Sequence, residues 1–280
     1  MFNPEATVRL GIILAFPILT SSLYWRTGVR LGRLHRRLYK TLWAVVSMVL
    51  GITTLFCLLF MYVYYGFGYQ PDIYRHGNRQ SNKVAITFDD GPSDEFTLPI
   101  LAILQEYNVP ATFFMVGKHV EKYPEVAQRV AAEGHTIGSH TQSHRRLPAL
   151  STLDLHQEMM EATAVITEIT GVYPTFFRPP QGMYDGRSRR LSQLLGQTVV
   201  LWSISTHDWR YGVSAKHIVD QISSKVKGGD IILFHDSGAL IKSEGGNRWA
   251  TVEALPAAIE AIRAKGLEIV PLAELLEESL

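Results

Sequence analysis

A run of 25 residues, Thr41 to Tyr65, carries no charged side chain. About 20 apolar residues suffice to cross the hydrocarbon of a bilayer. The run therefore reads as a membrane helix, with Tyr62, Tyr64, Tyr65 and Tyr69 at the depth where aromatic rings meet headgroups. A shorter uncharged run, Leu10 to Trp25, lies upstream and is expected to be a second helix. Between them, residues 26–40 form a basic loop with Arg26, Arg30, Arg33, Arg36, Arg37 and Lys40. Basic loops stay on the cytoplasmic side, so everything after Tyr65 is expected outside, whether or not the first run spans. No small-residue cleavage site follows the second run, which argues against a removed signal peptide. The expected organisation is a membrane anchor, 1–70, and an extracytoplasmic domain, 71–280.

Charge supports this division. Residues 1–65 hold seven Lys/Arg against one Asp/Glu, a balance of +6, and residues 66–280 hold 20 against 25, a balance of −5; the total is +1. Nothing in that total points to nucleic acid. The single cysteine, Cys57, falls inside the apolar run, so the outer domain has no disulfide and depends on its core.

After a polar linker, 66–82, short β-branched and aromatic runs alternate with helical spacing. Strands are expected at 83–88, 111–116, 135–139, 175–177, 198–202, 230–234 and 267–270, and helices at 96–107, 124–132, 151–170, 185–195, 214–226 and 249–264. Ser151 and Ser214 read as N-caps and Gly171 as a helix stop. Strict alternation of this kind implies a parallel sheet with crossover helices, and seven βα units fit a barrel better than an open sheet. The fold class is α/β. In such barrels chemistry gathers where strands end. Asp89 and Asp90 follow the first strand, His140 and His144 the third, Arg178 the fourth, Asp208 the fifth and His235 the sixth.

The residue types at those ends belong together chemically. Adjacent carboxylates at the end of KVAITFDDGP are costly unless a cation or a shared proton offsets them. In SHTQSH, His140 and His144 lie four apart, a spacing at which two imidazoles can meet one ion; with a carboxylate they leave positions open for water and substrate. Zinc is the default divalent ion for that donor set, and others fit it. In FRPPQG, two prolines make a rigid turn beside Arg178, which can orient a carboxylate. His235 in LFHD suits acid–base work near neutral pH. Trp202, His207, Asp208 and Trp209 in WSISTHDW offer aromatic walls for a sugar. Each motif alone has a plainer explanation, such as a solvated turn, a surface arginine or a core tryptophan. Their common placement at strand ends does not.

Five ordered motifs, TFDDG (87–91), HTQSH (140–144), RPPQG (178–182), WSISTHDW (202–209) and LFH (233–235), resemble those of the NodB-homology polysaccharide deacetylases, carbohydrate esterase family 4. The resemblance covers about residues 82–273 and implies a deformed (β/α) barrel. It further implies metal binding by Asp90, His140 and His144, usually of zinc, and a general base, Asp89, oriented by Arg178. His235 would be the acid for the leaving amine, the backbone N–H of Gln181 an oxyanion donor, and Trp202 and Asp208 substrate contacts. Two departures stand out. Gln181 replaces the usual aromatic, for which Tyr184 is a substitute, and Ser205 stands where many members have the Asp that tunes the catalytic histidine. The latter resembles the peptidoglycan-acting branch of spore formers. The reading implied is a membrane-anchored, metal-dependent N-deacetylase of cell-wall glycan, with peptidoglycan as substrate and the lipid bilayer as a second partner. The alternatives are a deacylase of a lipid-linked sugar and a non-catalytic glycan-binding protein that keeps the fold.

Overall fold

The computed structural model describes residues 33–65, 72–238 and 246–277. The chain divides into two compact units, Met1–Gln70 and Pro71–Leu280. In the first, helix α1 runs Arg33–Tyr65. Its segment Leu38–Leu59, 22 residues of mean hydropathy 2.3, is long and apolar enough to cross a membrane. Leu42, Met48, Ile52, Leu55 and Phe56 are exposed along it. Residues 33–40, expected as part of a loop, are helical. They contain Leu, Arg, His, Lys and Tyr with no Gly or Pro, so nothing in them stops a helix. The expected helix at 10–25 lies outside the described residues; among the described residues one helix is long and apolar enough to cross a membrane.

The second unit is a parallel sheet wrapped by helices. In chain order its elements are β1 (Ile73–Tyr74), β2 (Lys83–Asp89), α2 (Thr97–Glu106), β3 (Thr112–Met115), α3 (Gly117–Lys122), α4 (Pro124–Ala132), β4 (Thr136–Ser139) and α5 (Thr152–Thr170). Then come β5 (Phe176–Phe177), α6 (Gly186–Leu194), β6 (Thr198–Val200), β7 (Ile204–Ser205), α7 (Ala215–Lys225), β8 (Ile231–His235), α8 (Trp249–Ala264), β9 (Glu268–Ile269) and α9 (Leu272–Glu277). The predicted helix signals hold: Ser151 Oγ accepts from Asp154 N at 3.1 Å, Ser214 Oγ from His217 N at 3.2 Å, and Gly171 ends α5 at φ 71.

The strand order is β1-β6-β5-β4-β3-β2-β8-β7, with β9 beside the start of β2. The segment expected as one strand at 198–202 is bent. Its first part, β6, pairs with β5 and β1, and its continuation, β7, pairs with β8. Across the bend Leu201 N donates to Tyr74 O at 2.7 Å and Ser203 N to Ile231 O at 3.0 Å. One kinked stretch thus reaches both ends of the sheet and curls it into the deformed (β/α) barrel. Strand β1, expected as linker, covers the outer edge of β6 where the kink leaves it open.

Side chains on β2 alternate between two environments. Val84, Ile86 and Phe88 face the helices and pack with Ile100, Leu104, Ile259 and Ile262, and Phe88 stacks between Phe113 and Phe234 at 5.0 and 5.5 Å. Each such fully buried side chain contributes roughly 1.5–3 kcal/mol. Ala85 belongs to a smaller cluster with Phe114, Val200, Ile231 and Leu272. Thr87 and Asp89 share the parity of Ala85. The outer layer supplies the stability, and the other face is left to carry polar groups.

At the C-terminal ends of the strands the backbone is unusual. Six non-glycine residues among those described have positive φ, and five of them, Asp90, Thr141, His144, Gln181 and His207, lie on these loops. Such conformations cost on the order of 1–3 kcal/mol each and persist where the surroundings enforce them.

Candidate active site

Arg178 is the hub. It follows β5, is wholly buried, and spends its guanidinium on four acceptors. Nε donates to Val200 O at 3.0 Å, Nη2 to Leu201 O at 2.9 Å, and Nη1 to Thr87 Oγ1 at 2.8 Å and Asp89 Oδ1 at 2.6 Å. Its plane also lies 4.0 Å from the centroid of Phe114. A charge this deep is tolerable only when paired and hydrogen-bonded, and Asp89 is the carboxylate that pairs it. Because Arg178 occupies Oδ1, the other oxygen of Asp89 is turned toward His140, with Oδ2 3.8 Å from Nε2.

Asp90 turns away from the strand at φ 78. Its carbonyl accepts from His119 Nδ1 at 2.6 Å, which fixes the turn. Gly91 is required next, because a Cβ there would lie 2.1 Å from Asp236 Oδ2. The carboxylate of Asp90 is buried, and neither oxygen has a hydrogen-bond partner. His140 Nε2 and His144 Nε2 lie 3.5 and 3.3 Å from its Oδ1. His140 Nδ1 donates to the carbonyl of Arg178 at 2.6 Å, which leaves Nε2 as the free nitrogen. Burial drives His144 down to about 4, against the pull of Asp90. Burial also opposes charge on His140, but Asp89 and Asp90 hold that ring above its ordinary value. Burial likewise disfavours the Asp90 carboxylate, and the two imidazoles override it and hold the group well below the usual range.

One ligand atom from each of Asp90, His140 and His144 lies within 4.8 Å of the others. Two orphaned carboxylate oxygens and two imidazole nitrogens converging in a buried pocket fit a divalent cation. The loop that presents the histidines is held from behind. Ser143 N donates to Glu158 Oε2 at 2.8 Å, Ser143 Oγ donates to Glu158 Oε1, and Gln142 N donates to the Glu158 carbonyl at 2.9 Å.

His235 ends β8 in register with Asp89 on β2. Its Nδ1 donates to Asp208 Oδ1 at 2.7 Å and its backbone N–H to Asp208 Oδ2 at 2.7 Å; Thr251 Oγ1 completes the carboxylate at 2.8 Å. Burial works against a charged ring, but Asp208, aided by Asp90 and Asp89, lifts His235 to about 9. Nε2 is the nitrogen left for chemistry.

Several expectations change here. Asp208, expected to touch substrate, is buried with both oxygens committed, so it is the partner of His235. Ser205 Oγ accepts from His207 N at 3.3 Å, and the tuning carboxylate comes from three residues later. Tyr184 is buried, and its hydroxyl accepts from Arg75 Nη2 at 3.3 Å, so it does not stand in for an aromatic at 181. Trp202 is partly buried against Arg178, 5.8 Å from its guanidinium, and would meet a Cβ on Gly182 at 3.0 Å. Gln181, at φ 58, accepts from Arg146 Nε at 3.0 Å. Residues the sequence reading missed are Thr87, Glu158 and Asp236. Asp236 accepts from Gly91 N at 3.0 Å and Thr97 Oγ1 at 2.6 Å, and burial pushes it up to about 7. Of these only Asp236 had a signal, its place directly after His235.

Comparison with known proteins gives a consistent picture. The polysaccharide deacetylase family matches residues 76–200. A peptidoglycan-N-acetylglucosamine deacetylase of Bacillus cereus is 35% identical over 70% of this chain and 69% of its own length. A chitooligosaccharide deacetylase of Bradyrhizobium sp. is 33% identical over 70% of this chain and 91% of its own. Among solved structures, the Bc1960 peptidoglycan N-acetylglucosamine deacetylase, in complex with a naphthalenyl N-oxidanyl-benzamide, superposes with a TM-score of 0.68 at 33% identity, covering 74% of this chain and 94% of that one.

Proposed function

This chain belongs to the NodB-type polysaccharide deacetylases, carbohydrate esterase family 4, and on that premise we propose that it hydrolyses the N-acetyl groups of amino sugars in peptidoglycan, releasing acetate. One observation carries the reading: a buried Asp90–His140–His144 cluster is accompanied on neighbouring strands by Asp89, fixed by Arg178, and by His235, fixed by Asp208.

Amide hydrolysis needs an activated water, a site for the oxyanion and an acid for a poor leaving group. A divalent cation, zinc in this reading, held by Asp90, His140 and His144 would polarise the acetyl carbonyl and lower the pKa of the attacking water. Asp89 accepts the proton of that water as its oxygen bonds to the carbonyl carbon. Arg178 occupies one carboxylate oxygen so that the other is aimed at the water. The backbone N–H of Gln181 donates to the developing oxyanion. His235, protonated at neutral pH, gives its Nε2 proton to the sugar nitrogen as the C–N bond breaks. The products are acetate and a free amine.

Helix α1 supplies the setting. In this reading the catalytic unit works on the extracytoplasmic side of the cell membrane, which the apolar segment Leu38–Leu59 and the basic residues that precede it support.

The test is acetate release from purified peptidoglycan by the full chain in detergent. Release is expected with metal, is lost on chelation and returns when zinc is added. His140→Ala is expected to abolish both metal uptake and release. Retention of full activity in metal-free protein would overturn the proposal.

A further inference from the structure

We propose that Arg146 is a specificity residue, binding a carboxylate of the glycan beside the reacting N-acetyl group. The enzyme would then favour anionic, muramyl-containing strands over neutral chitin-type oligomers. The inference rests on the deacetylase reading and adds the substituent by which substrate is chosen.

Position comes first. Arg146 follows His144 by two residues, about 7 Å of chain at most. Its backbone is pinned: Ala149 N donates to its carbonyl at 3.1 Å, and the adjacent Leu147 is fully buried. Its side chain is exposed. The guanidinium is directed by one hydrogen bond, Nε to Gln181 Oε1 at 3.0 Å, across to the loop that follows β5. That loop and the histidine loop both carry residues of the candidate site.

Charge comes second. Among the described residues Arg146 has no carboxylate partner, and its Nη1 and Nη2 donate to nothing. Its neighbour differs. Arg145 Nη1 lies 3.9 Å from Glu158 Oε1 and lines a separate polar cleft with Glu121, Asp154 and Glu161. Two deeper carboxylates are paired with other groups, Asp89 with Arg178 and Asp208 with His235, and Asp90 faces the two histidines. A neutral amide at 181 orients the arginine without cancelling its charge, and the Nη fork that remains matches a carboxylate in two-point fashion. An aromatic at 181 could not do this. In peptidoglycan every second sugar carries a lactyl ether with a peptide that ends in free carboxylates. Chitin carries none.

Three substrates test the idea with the full chain in detergent and zinc bound: a disaccharide-peptide with free carboxyls, the same compound with its carboxyls converted to amides, and chitotetraose. The kcat/KM for acetate release is expected to favour the free acid over the amidated compound by about tenfold, mainly through KM, and raising the salt should shrink that ratio. Arg146→Ala should bring it to about one, and Arg146→Lys should keep part of it. Gln181→Glu, which sets a carboxylate on the arginine, should remove it without shortening any side chain. A wild-type ratio of one, or a ratio unchanged in Arg146→Ala, overturns the assignment and leaves the deacetylase reading standing. Absence of release from all three substrates overturns both.

Discussion

Asp89→Asn is expected to lower acetate release about a thousandfold, to the level of the chelated enzyme, while the protein still takes up its metal. General-base removal typically costs 10²–10⁴ in rate, and Asp89 stands outside the Asp90–His140–His144 set. Asparagine can still accept from Arg178 Nη1, now 2.6 Å from Oδ1, but it has no basic oxygen to offer water. The variant also strips Arg178 of its ion-pair partner in a wholly buried site. Breaking a buried pair costs about 3–5 kcal/mol, so a lower melting temperature should accompany the rate loss. The measurements are acetate release, metal content per chain and thermal melting. Activity within tenfold of wild type would remove Asp89 as the base. Loss of metal with retained fold would make it a ligand instead.

Much of this arrangement was legible in the chain because strand ends are local. KVAITF and DIILF announce their own strands, and the barrel architecture then delivers Asp89, Asp90, His140, His144, Arg178 and His235 to one face without further information. Helix bounds set by caps, as at Ser151, Gly171 and Ser214, were legible for the same reason. What was not legible depends on contacts between distant segments. Strand β1 is two residues long and exists because the kinked β6 leaves an edge to pair with. By motif position the residue that would tune His235 is Ser205, which carries no charge. In the fold β7 stops at Ser205, and His207, at φ 56, turns the chain so that Asp208 arrives beside the histidine. Tyr184, expected to replace the aromatic missing at 181, is instead a core residue held by Arg75. Glu158 sits in mid-helix with nothing in its surroundings to mark it, yet it holds the loop between the two histidines.

The Asp208–His235 pair makes the second large prediction, read from a pH profile. The proposed acid role of His235 requires the protonated ring. Burial favours the neutral ring, but Asp208, aided by Asp90 and Asp89, raises it to about 9; a cation that offsets those two aspartates leaves Asp208 as the main support, so the wild-type rate should stay level through neutral pH and fall in the alkaline range below that value. Asp208→Asn keeps the volume and one acceptor but removes the charge. Burial then prevails, and a bound divalent cation would offset the remaining Asp89 and Asp90 carboxylates. The alkaline limb should move below the ordinary histidine value of about 6.5, with a rate loss near pH 7.5 on the order of a hundredfold. Stability should follow the same sign. A histidine raised in the folded state contributes fully below its unfolded value and loses that contribution as pH rises through the folded one. For His235 this is on the order of 3 kcal/mol, lost between about pH 6.5 and 9. Asp208 is shifted the opposite way, burial opposing its charge and His235 overriding it, so its contribution is present above about pH 4 and lost as pH falls further. Melting temperature should therefore decline from pH 6.5 to 9 less steeply in Asp208→Asn than in the wild type, the remaining slope coming from His140 and Asp236, which are also raised in the folded protein. An alkaline limb that does not move in the variant would mean that another group donates the proton to the leaving amine.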